Sequence, residues 1–332
     1  MPTSIAVLGA IVYDEIVTHD RQRIESFGGI VYNLAALSSL VGDEGIIRPY
    51  SNVGADRYDA VMRLVGSMPS VRADGLRRWE GPLTHALLTY RDRNEREEIV
   101  RHMMPPFSFG DVRGALAADG IMFNFVNGTE IDLATLRQMR AATRAPLYLD
   151  MHNLMVRFDG DGKQHYLDFA EWPEWVAQFD FVQMNEFECG KALETRPKTP
   201  EEFLAAAHRV LRAGPTVVLV TMGPKGVALA HRRDGVEYGC IIPPAPVKRF
   251  VDATGCGDAF SAGTFWNYLT ARVKPANPVA AAMAGALVGA INCETQGIGR
   301  LDGVRDAAER LGEVSPDLAE KVAAGWLGER LA

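Results

Sequence analysis

The stretch VDATGCGDAFSAGTFWNYL at residues 251–269 joins a glycine-rich turn to the start of an apolar-periodic helix. Gly255 and Gly257 allow the backbone to approach a ligand closely, because neither residue carries a side chain. The first amides of a helix have no carbonyl partner within it, and the helix dipole favours an anion beside them. The segment therefore predicts a cradle for a phosphate or another oxyanion.

Asp258 falls in the first turn of this predicted helix, where nearby amides would keep its carboxylate ionised. A carboxylate beside an anion site can accept a proton from an attacking hydroxyl and so act as a general base. Helix capping is the alternative interpretation, since Asp and Thr are favoured at helix starts without any catalysis. On this segment alone, both interpretations stay open.

Upstream of the glycine-rich turn, apolar β-rich runs alternate with stretches of helical spacing. The runs predict strands at about 5–12, 46–53, 121–126, 146–151, 180–184 and 216–222. Helical spacing occurs at 31–41, 132–143 and 200–213, and again downstream at 256–271, 277–293, 303–311 and 315–327. This order predicts an α/β fold, a doubly wound and mainly parallel sheet with helices on both faces. Without an internal repeat or a linker, residues 1–332 are expected to form a single domain.

Two segments, at about 12–27 and 83–103, interrupt the alternation and predict a small accessory sheet inserted in this domain. Above the carboxyl ends of the parallel strands, such a lid would exclude water from a ligand crevice. A surface hairpin without function is an equally weighted alternative. A strand flap with an exposed apolar face would also favour a homodimer.

The bulk properties exclude several classes of partner. A net charge of -7 and a pI near 5.6 argue against nucleic acid, whose phosphates require a concentrated basic surface. The apolar run at 5–12 is too short to span a bilayer, so no membrane association is expected. The four cysteines show no CxxC spacing, which indicates neither a zinc site nor a disulfide framework, and a reducing cytoplasm is the expected location.

The segment DATGCGD at 252–258 resembles the carboxy-terminal signature of the ribokinase, or PfkB-type, carbohydrate kinase family, here as D-x-T-G-x-G-D. The resemblance implies a ribokinase-like fold with a β-sheet lid, and a phosphotransferase with an alcohol group as acceptor. It implies Asp258 as the base and an anion hole formed by the amides of Gly255, Cys256 and Gly257. Asp252 and Thr254 would lie near the phosphates, and in some relatives this loop helps to seat a monovalent cation such as K⁺.

Two amino-terminal motifs match the family's substrate side. Asp14, five residues after Gly9 at the end of the first strand, resembles the sugar-hydroxyl ligand, although a turn aspartate is an equal alternative. GGIVYN at 28–33 resembles the amino-terminal signature, with Gly28 and Gly29 at the substrate and Asn33 offering a donor and an acceptor. A helix start with flexible glycines is the alternative for this second motif.

Two later motifs match the nucleotide side. MNEFE at 184–188 resembles N-x-x-E through Asn185 and Glu188, with Glu188 holding Mg²⁺ through water. An acidic first turn is common for dipole reasons alone. In TVVLVTMGPKGVALA at 216–230, Thr221, Gly223 and Gly226 resemble the nucleotide-side turn.

The resulting hypothesis is Mg²⁺- and ATP-dependent phosphorylation of a sugar; a nucleoside substrate and a catalytically silent sugar- or nucleotide-binding regulator are the alternatives. LDMHN at 149–153 departs from the D-x-N-x-R pattern of many sugar kinases, which weakens any specific sugar assignment. Four lid arginines could bind a phosphosugar or form a solvated face: Arg91, Arg93, Arg96 and Arg101.

Overall fold

A computed structural model describes residues 2–18, 20–90 and 96–331, and a large sheet dominates this part of the chain. The strands are β1 Thr3–Gly9, β2 Ile11–Val17, β3 Arg23–Gly29, β4 Gly45–Gly54, β5 Leu76–Trp79, β6 His85–Tyr90, β7 Arg96–Arg101, β8 Gly120–Asn124, β9 Leu147–Asp150, β10 Val156–Phe158, β11 Gln164–Tyr166, β12 Phe181–Asn185, β13 Val217–Thr221, β14 Val227–Arg233, β15 Val236–Ile242 and β16 Glu329–Arg330. The α-helices are α1 Val31–Val41, α2 Tyr58–Gly66, α3 Phe109–Val112, α4 Leu133–Ala142, α5 Trp172–Val176, α6 Glu186–Ala192, α7 Pro200–Leu211, α8 Cys256–Thr270, α9 Pro278–Asn292 and α10 Pro316–Ala323.

The main sheet has ten strands in the order β16-β15-β14-β13-β12-β9-β8-β1-β4-β5. The seven strands from β13 to β5 are parallel, whereas β14, β15 and β16 continue the sheet in antiparallel fashion. The carboxyl ends of parallel strands lie at the same edge of a sheet. This edge therefore carries the last residues of β8, β9 and β13, which are Asn124, Asp150 and Thr221.

Helices cover both faces of this sheet. Successive side chains of a strand point to opposite faces, so each strand contributes to the core on either side. Along β1, Ile5 and Val7 pack into a core formed with α1, α2, α8 and α9. Ala6 and Leu8 point the other way, into a core formed with α3, α4, α5, α6 and α7. The predicted doubly wound α/β class is therefore confirmed.

A separate sheet of four strands, β3-β2-β6-β7, forms the lid sheet. A two-stranded hairpin, β10–β11, extends its β7 edge: the amide of Val100 donates to the carbonyl oxygen of Gly162 at 2.9 Å, and Ile99 bridges to Lys163. The sequence predicted the lid sheet but not this hairpin. Of the lid arginines, Arg91 and Arg93 lie outside the described residues.

Three sequence predictions differ from the structure. The run at 5–12 is divided, since β1 ends at Gly9 and the chain enters the lid sheet at Ile11, so Asp14 lies in β2 rather than at the end of β1. The helix predicted at 303–311 is absent: short 3₁₀ turns occupy Ala307–Glu309 and Leu311–Glu313, and Gly303 has a φ of +74° that interrupts helical geometry. The helix predicted at 315–327 ends at Ala323. Within the described ranges, no helix is long and apolar enough to cross a membrane.

Candidate active site

The glycine turn, residues 252–258, leads into α8 at the carboxyl-end edge of the main sheet. The Asp252 carboxylate accepts hydrogen bonds from the amide and the hydroxyl of Thr254, at 2.9 and 2.8 Å. Gly255, the N-cap residue of α8, has a φ of +77°, and a Cβ atom there would lie 2.4 Å from Cδ1 of Tyr32. Both the backbone angle and the close ring restrict this position to glycine.

The first turn of α8 presents main-chain amides to the crevice. The first helical hydrogen bond runs from the amide of Ala259 to the carbonyl oxygen of Gly255 at 2.8 Å, so the amides of Gly257 and Asp258 have no helical carbonyl partner. The Cys256 amide instead closes a turn on the Ala253 carbonyl at 3.1 Å. The predicted anion hole of three amides stays a prediction, and Gly257 is the member whose amide lacks a helical carbonyl partner and which lines a cavity.

Asp258 is held by a residue that the sequence reasoning missed. Nδ2 of Asn124, the last residue of β8, donates to Oδ1 of Asp258 at 2.6 Å. Burial raises the pKa of Asp258 to about 7, while its own amide and the Asn124 hydrogen bond act in the opposite direction. A carboxyl group with this pKa can both accept and release a proton near neutral pH.

Asn33 lies behind Asp258 and is completely buried. Its Nδ2 donates to the carbonyl oxygen of Asp258 at 3.3 Å and to Oγ of Ser261 at 3.1 Å, and its Oδ1 accepts from Nδ2 of Asn124 at 2.9 Å. Every polar atom of this side chain is thus used within the protein. This geometry suits positioning of Asp258, whereas the predicted contact of Asn33 with a substrate hydroxyl stays untested.

Two cavities meet at the glycine turn. The lid cavity, about 180 Å³, lies under the lid sheet and reaches Thr254, Gly255 and Asp258. The apolar cavity, about 460 Å³, lies on the other side and reaches Cys256 and Gly257. A group bound at the turn would therefore be accessible from both cavities.

The lid cavity combines polar groups with an apolar wall. Asp14 and Gly29 line it, as do Asn124, Asn127 and Asn153, and β6 and β7 add aliphatic side chains. Gly28 lies directly against the Asp14 side chain: a Cβ atom at Gly28 would lie 2.0 Å from Oδ2 of the aspartate. Carboxylate and amide groups can each bind hydroxyls, so this lining suits a small polyol.

The apolar cavity carries three of the predicted nucleotide-side residues, whereas Thr254 lines the lid cavity. Thr221, Gly223 and Gly226 line one wall, and α9 forms the opposite wall through Ala286, Gly289, Ala290 and the residue that follows the helix, Cys293. Phe250 also lines the cavity and is 67% exposed. A largely apolar cleft of this size fits a flat heterocyclic base. Lys225, at the same turn, forms an ion pair with Glu186, with Nζ 2.8 Å from Oε1.

Asn185 and Glu188 form a capping box at the start of α6. The amide of Asn185 donates to Oε2 of Glu188 at 2.8 Å and its Nδ2 donates to Oε1 at 2.6 Å. Burial raises the pKa of Glu188 to about 8. Both line a side cavity of about 530 Å³, which adjoins the lid cavity through Glu98, His152 and Asn153.

A third carboxyl group, Asp150 at the end of β9, lies near Asp258 and Glu188. Burial and these two neighbours raise its pKa well above the ordinary value. Nε2 of Gln183 donates to Oδ2 of Asp150 and to the carbonyl oxygen of Gly257, each at 3.1 Å, and the hydroxyl of Tyr148 donates to Oε1 of Gln183 at 2.6 Å. Gln183 thus fixes the glycine turn from beneath.

These carboxyl groups bear on whether a magnesium ion fits. Among the described residues, no three His, Cys, Asp or Glu side chains converge to bind a metal directly. Both Glu188 oxygens accept hydrogen bonds from Asn185, an arrangement that suits contact with an ion through water. Burial raises the pKa values of Asp150, Glu188 and Asp258, and the two carboxyl neighbours of Asp150 raise its pKa further, so a nearby cation would favour the ionised forms. A hydrated Mg²⁺, which keeps most of its waters, fits this environment.

Solved structures define the class of the fold as ribokinase-like. A ribokinase of Arabidopsis thaliana complexed with ribose and ATP superposes with a TM-score of 0.72 at 19% identity, covering 94% of this chain and 99% of that chain. A nucleoside kinase of Burkholderia thailandensis in complex with inosine gives 0.63 at 20% identity, with 94% and 99% covered. A pyrophosphate-dependent kinase in the ribokinase family, complexed with a pyrophosphate analog and myo-inositol, gives 0.71 at 17%, with 92% and 99% covered.

The sequence itself assigns the family. Residues 127–302, more than half of the chain, match the sequence model described as pfkB family carbohydrate kinase. The chain therefore belongs to the pfkB family of carbohydrate kinases. Among curated proteins, none matches the sequence.

Proposed function

We propose that this protein transfers the terminal phosphate of ATP to a hydroxyl group of a small sugar, with Asp258 as the general base. One observation carries this proposal: the glycine turn, with Asp258 beside it, lies between the lid cavity, which offers carboxylate and amide groups, and the apolar cavity. A phosphoryl group at the turn would have the acceptor on one side and the nucleotide on the other. Such positioning supplies most of the catalysis in phosphoryl transfer.

The proton is taken by Asp258. The side-chain amide of Asn124 donates to Oδ1 of Asp258. We therefore assign Oδ2 of Asp258 as the oxygen that binds the acceptor hydroxyl. As the hydroxyl oxygen attacks phosphorus, its proton moves to this carboxylate, and the bond from the phosphorus to the leaving oxygen of ADP breaks. The Gly257 amide and the dipole of α8 stabilise negative charge on the transferred group.

A magnesium ion bound with the nucleotide would neutralise phosphate charge, and Glu188 would hold it through water. Gln183 and Asn185 keep the surrounding groups in place, Gln183 by anchoring Gly257 and Asn185 by fixing the Glu188 carboxyl group. Because these contacts exist within the protein itself, the turn needs little rearrangement when the substrates arrive.

The apolar cavity favours ATP over pyrophosphate as the phosphoryl donor. A solved relative of this fold is pyrophosphate-dependent, so the fold alone does not select the donor. Pyrophosphate has no apolar part that could fill a cavity lined by Val227, Ala245 and Phe260, whereas an adenine ring does. We therefore expect ATP to be the donor.

The lid cavity favours a monosaccharide or cyclitol as the acceptor. Its volume of about 180 Å³ is below the roughly 300 Å³ at which pockets for larger ligands begin. A nucleoside acceptor is the second candidate, because the side cavity adjoins the lid cavity and offers room for a base. Asp14 would bind sugar hydroxyls in either case.

A panel of acceptors incubated with ATP and Mg²⁺ tests this proposal. Pentoses, hexoses, cyclitols and nucleosides are compared for ADP formation and for phosphate gained by the acceptor. We expect one unphosphorylated sugar or cyclitol to be the best acceptor. Transfer to nucleosides alone would favour the second candidate, and the absence of transfer to every acceptor would contradict the kinase proposal.

Gly28→Ala is expected to raise the KM for the acceptor by at least about tenfold, because the new methyl group displaces the Asp14 carboxylate. The KM for ATP should change little, since Gly28 lies on the lid side of the glycine turn. Gly66→Ala is the matched control: nothing lies within 4 Å of a Cβ atom there. Steady-state kinetics with both substrates varied measure the effect, and equal changes in both KM values would contradict the role of Asp14.

The pH dependence should follow Asp258. Only the ionised carboxylate accepts a proton, so kcat/KM should rise with pH through about 7 and level off above it. The Asn124 hydrogen bond lowers the pKa of Asp258, so Asn124→Ala should move the midpoint to higher pH. Profiles at saturating Mg²⁺ measure both midpoints, and the same midpoint in both proteins would contradict the assignment.

A further inference from the structure

Two of the four cysteines lie together at the glycine turn. Cys256 is the first residue of α8, and Cys293 directly follows α9. The carbonyl oxygen of Cys293 accepts hydrogen bonds from the amides of Val251 and Asp252, at 2.8 and 3.2 Å, which ties it to the segment entering the turn. Both cysteines line the apolar cavity and are partly exposed, so a small molecule can reach them.

The two side chains are close enough for their thiols to interact. Nδ2 of Asn292 donates to Sγ of Cys256 at 3.4 Å and to the carbonyl oxygen of Thr254 at 2.9 Å, which holds the pair against the turn. The hydrogen bond with Cys256 lowers the pKa of the Cys293 thiol, whereas burial and the carboxylates of Asp252 and Glu294 raise it. Cys293 is therefore the thiol better suited to react as a thiolate.

The other two cysteines provide a contrast. Cys189 and Cys240 are buried, in α6 and β15, and burial raises the pKa of each thiol to about 12. Such thiols are protected from oxidants both by their protonation and by the surrounding protein. Reactivity should thus be confined to the pair in the apolar cavity.

We propose that Cys256 and Cys293 form an oxidative modification site, at which a hydroperoxide converts the two thiols into a disulfide that distorts the glycine turn. The Cys293 thiolate attacks a peroxide oxygen, the O–O bond breaks, and an alcohol or water leaves with a proton, giving a sulfenic acid. The Cys256 sulfur then attacks the sulfenic sulfur, the S–S bond forms and water leaves. The two sulfurs lose two electrons in total, and the peroxide gains them.

The disulfide would change the phosphate site because Cys256 lies within it. An S–S bond is about 2.05 Å long, much shorter than the contact between two thiols, so its formation draws Cys256 and the end of α9 together. We expect the neighbouring Gly257 amide to shift with Cys256. A misplacement of about 1 Å in a catalytic site can lower rates by about a hundredfold. In a reducing cytoplasm such a bond is transient, which suits reversible regulation.

The test treats the reduced protein with hydrogen peroxide and maps its peptides by mass spectrometry. Binding of a fluorescent ATP analogue is measured before oxidation, after oxidation, and after dithiothreitol. We expect a peptide pair linked through Cys256 and Cys293, a loss of nucleotide affinity of at least about tenfold, and recovery on reduction. Formation of the Cys256–Cys293 disulfide does not depend on the proposed function. The affinity of the reduced protein for the ATP analogue tests that function separately.

Two variants make the test specific. Cys293→Ser, compared with its own reduced sample, should form no link and lose no affinity on oxidation. Cys240→Ala should respond to peroxide as the unchanged protein does, because Cys240 is buried in β15 and does not line the apolar cavity. The absence of the linked peptides, a linked protein with unaltered nucleotide affinity, or an equal peroxide effect in Cys293→Ser would each overturn the proposal.

Discussion

Replacing Asp258 by asparagine is expected to lower turnover at least about a hundredfold, while ATP still binds. The amide cannot accept the proton of the acceptor hydroxyl, yet it keeps the size of the carboxyl group and can still accept the hydrogen bond from Nδ2 of Asn124. Single-turnover kinetics and calorimetric titration with ATP separate the chemical step from nucleotide binding. Turnover close to that of the unchanged protein would exclude Asp258 as the base.

The same variant should not lose stability, which separates catalysis from folding. Because burial raises the pKa of Asp258, the ionised group destabilises the folded state, and this cost grows as the pH rises from the ordinary aspartate range to about 7. Asp258→Asn should therefore have a higher Tm than the unchanged protein at pH 8, and the difference should shrink toward pH 4. A lower Tm at pH 8 would indicate a structural role instead.

Gly255→Ala is the second replacement with a large expected effect. The alanine methyl group would lie 2.4 Å from Cδ1 of Tyr32, and the residue would have to keep a φ of +77°. The turn is expected to shift, which misaligns the Gly257 amide and lowers kcat by at least about tenfold. Measured kcat at saturating substrates gives the effect.

Gly235→Ala provides the matched control for this replacement. Gly235 also has a φ of +77°, but nothing lies within 4 Å of its added Cβ atom, and it follows β14 in a hairpin turn. The control carries the same backbone strain, of order 1 kcal/mol, without the contact with Tyr32. Its Tm should fall while kcat is retained. If both variants lost activity equally, general destabilisation rather than the geometry of the glycine turn would be responsible.

The features that the sequence predicted well depend on local signals. The turn at 252–258 and the helix after it are encoded by neighbouring glycines and apolar spacing, and α8 begins at Cys256 as expected. Buried parallel strands such as β8 and β13 are mostly apolar runs that end on one polar residue, which makes them visible without knowledge of their partners. Local chemistry therefore gives the class of fold and the position of the proposed base.

The features that the sequence could not predict depend on contacts between distant residues. Asn124 is separated from Asp258 by 134 positions, and Gln183 from Gly257 by 74, so no spacing rule connects them. The only local signal is a polar side chain at or near the carboxyl end of an apolar strand. The hairpin β10–β11 has short strands of three residues each, and it is held by the β7 edge rather than by its own periodicity.

The most direct measurement is a crystal structure with the best acceptor, Mg²⁺ and an ATP analogue that cannot transfer its terminal phosphate. We expect Oδ2 of Asp258 about 2.6–3.2 Å from the acceptor hydroxyl, opposite the terminal phosphate, with a phosphate oxygen bound to the Gly257 amide. An Asp258 carboxylate turned away from the acceptor, or a terminal phosphate bound elsewhere than at the glycine turn, would contradict the proposed mechanism.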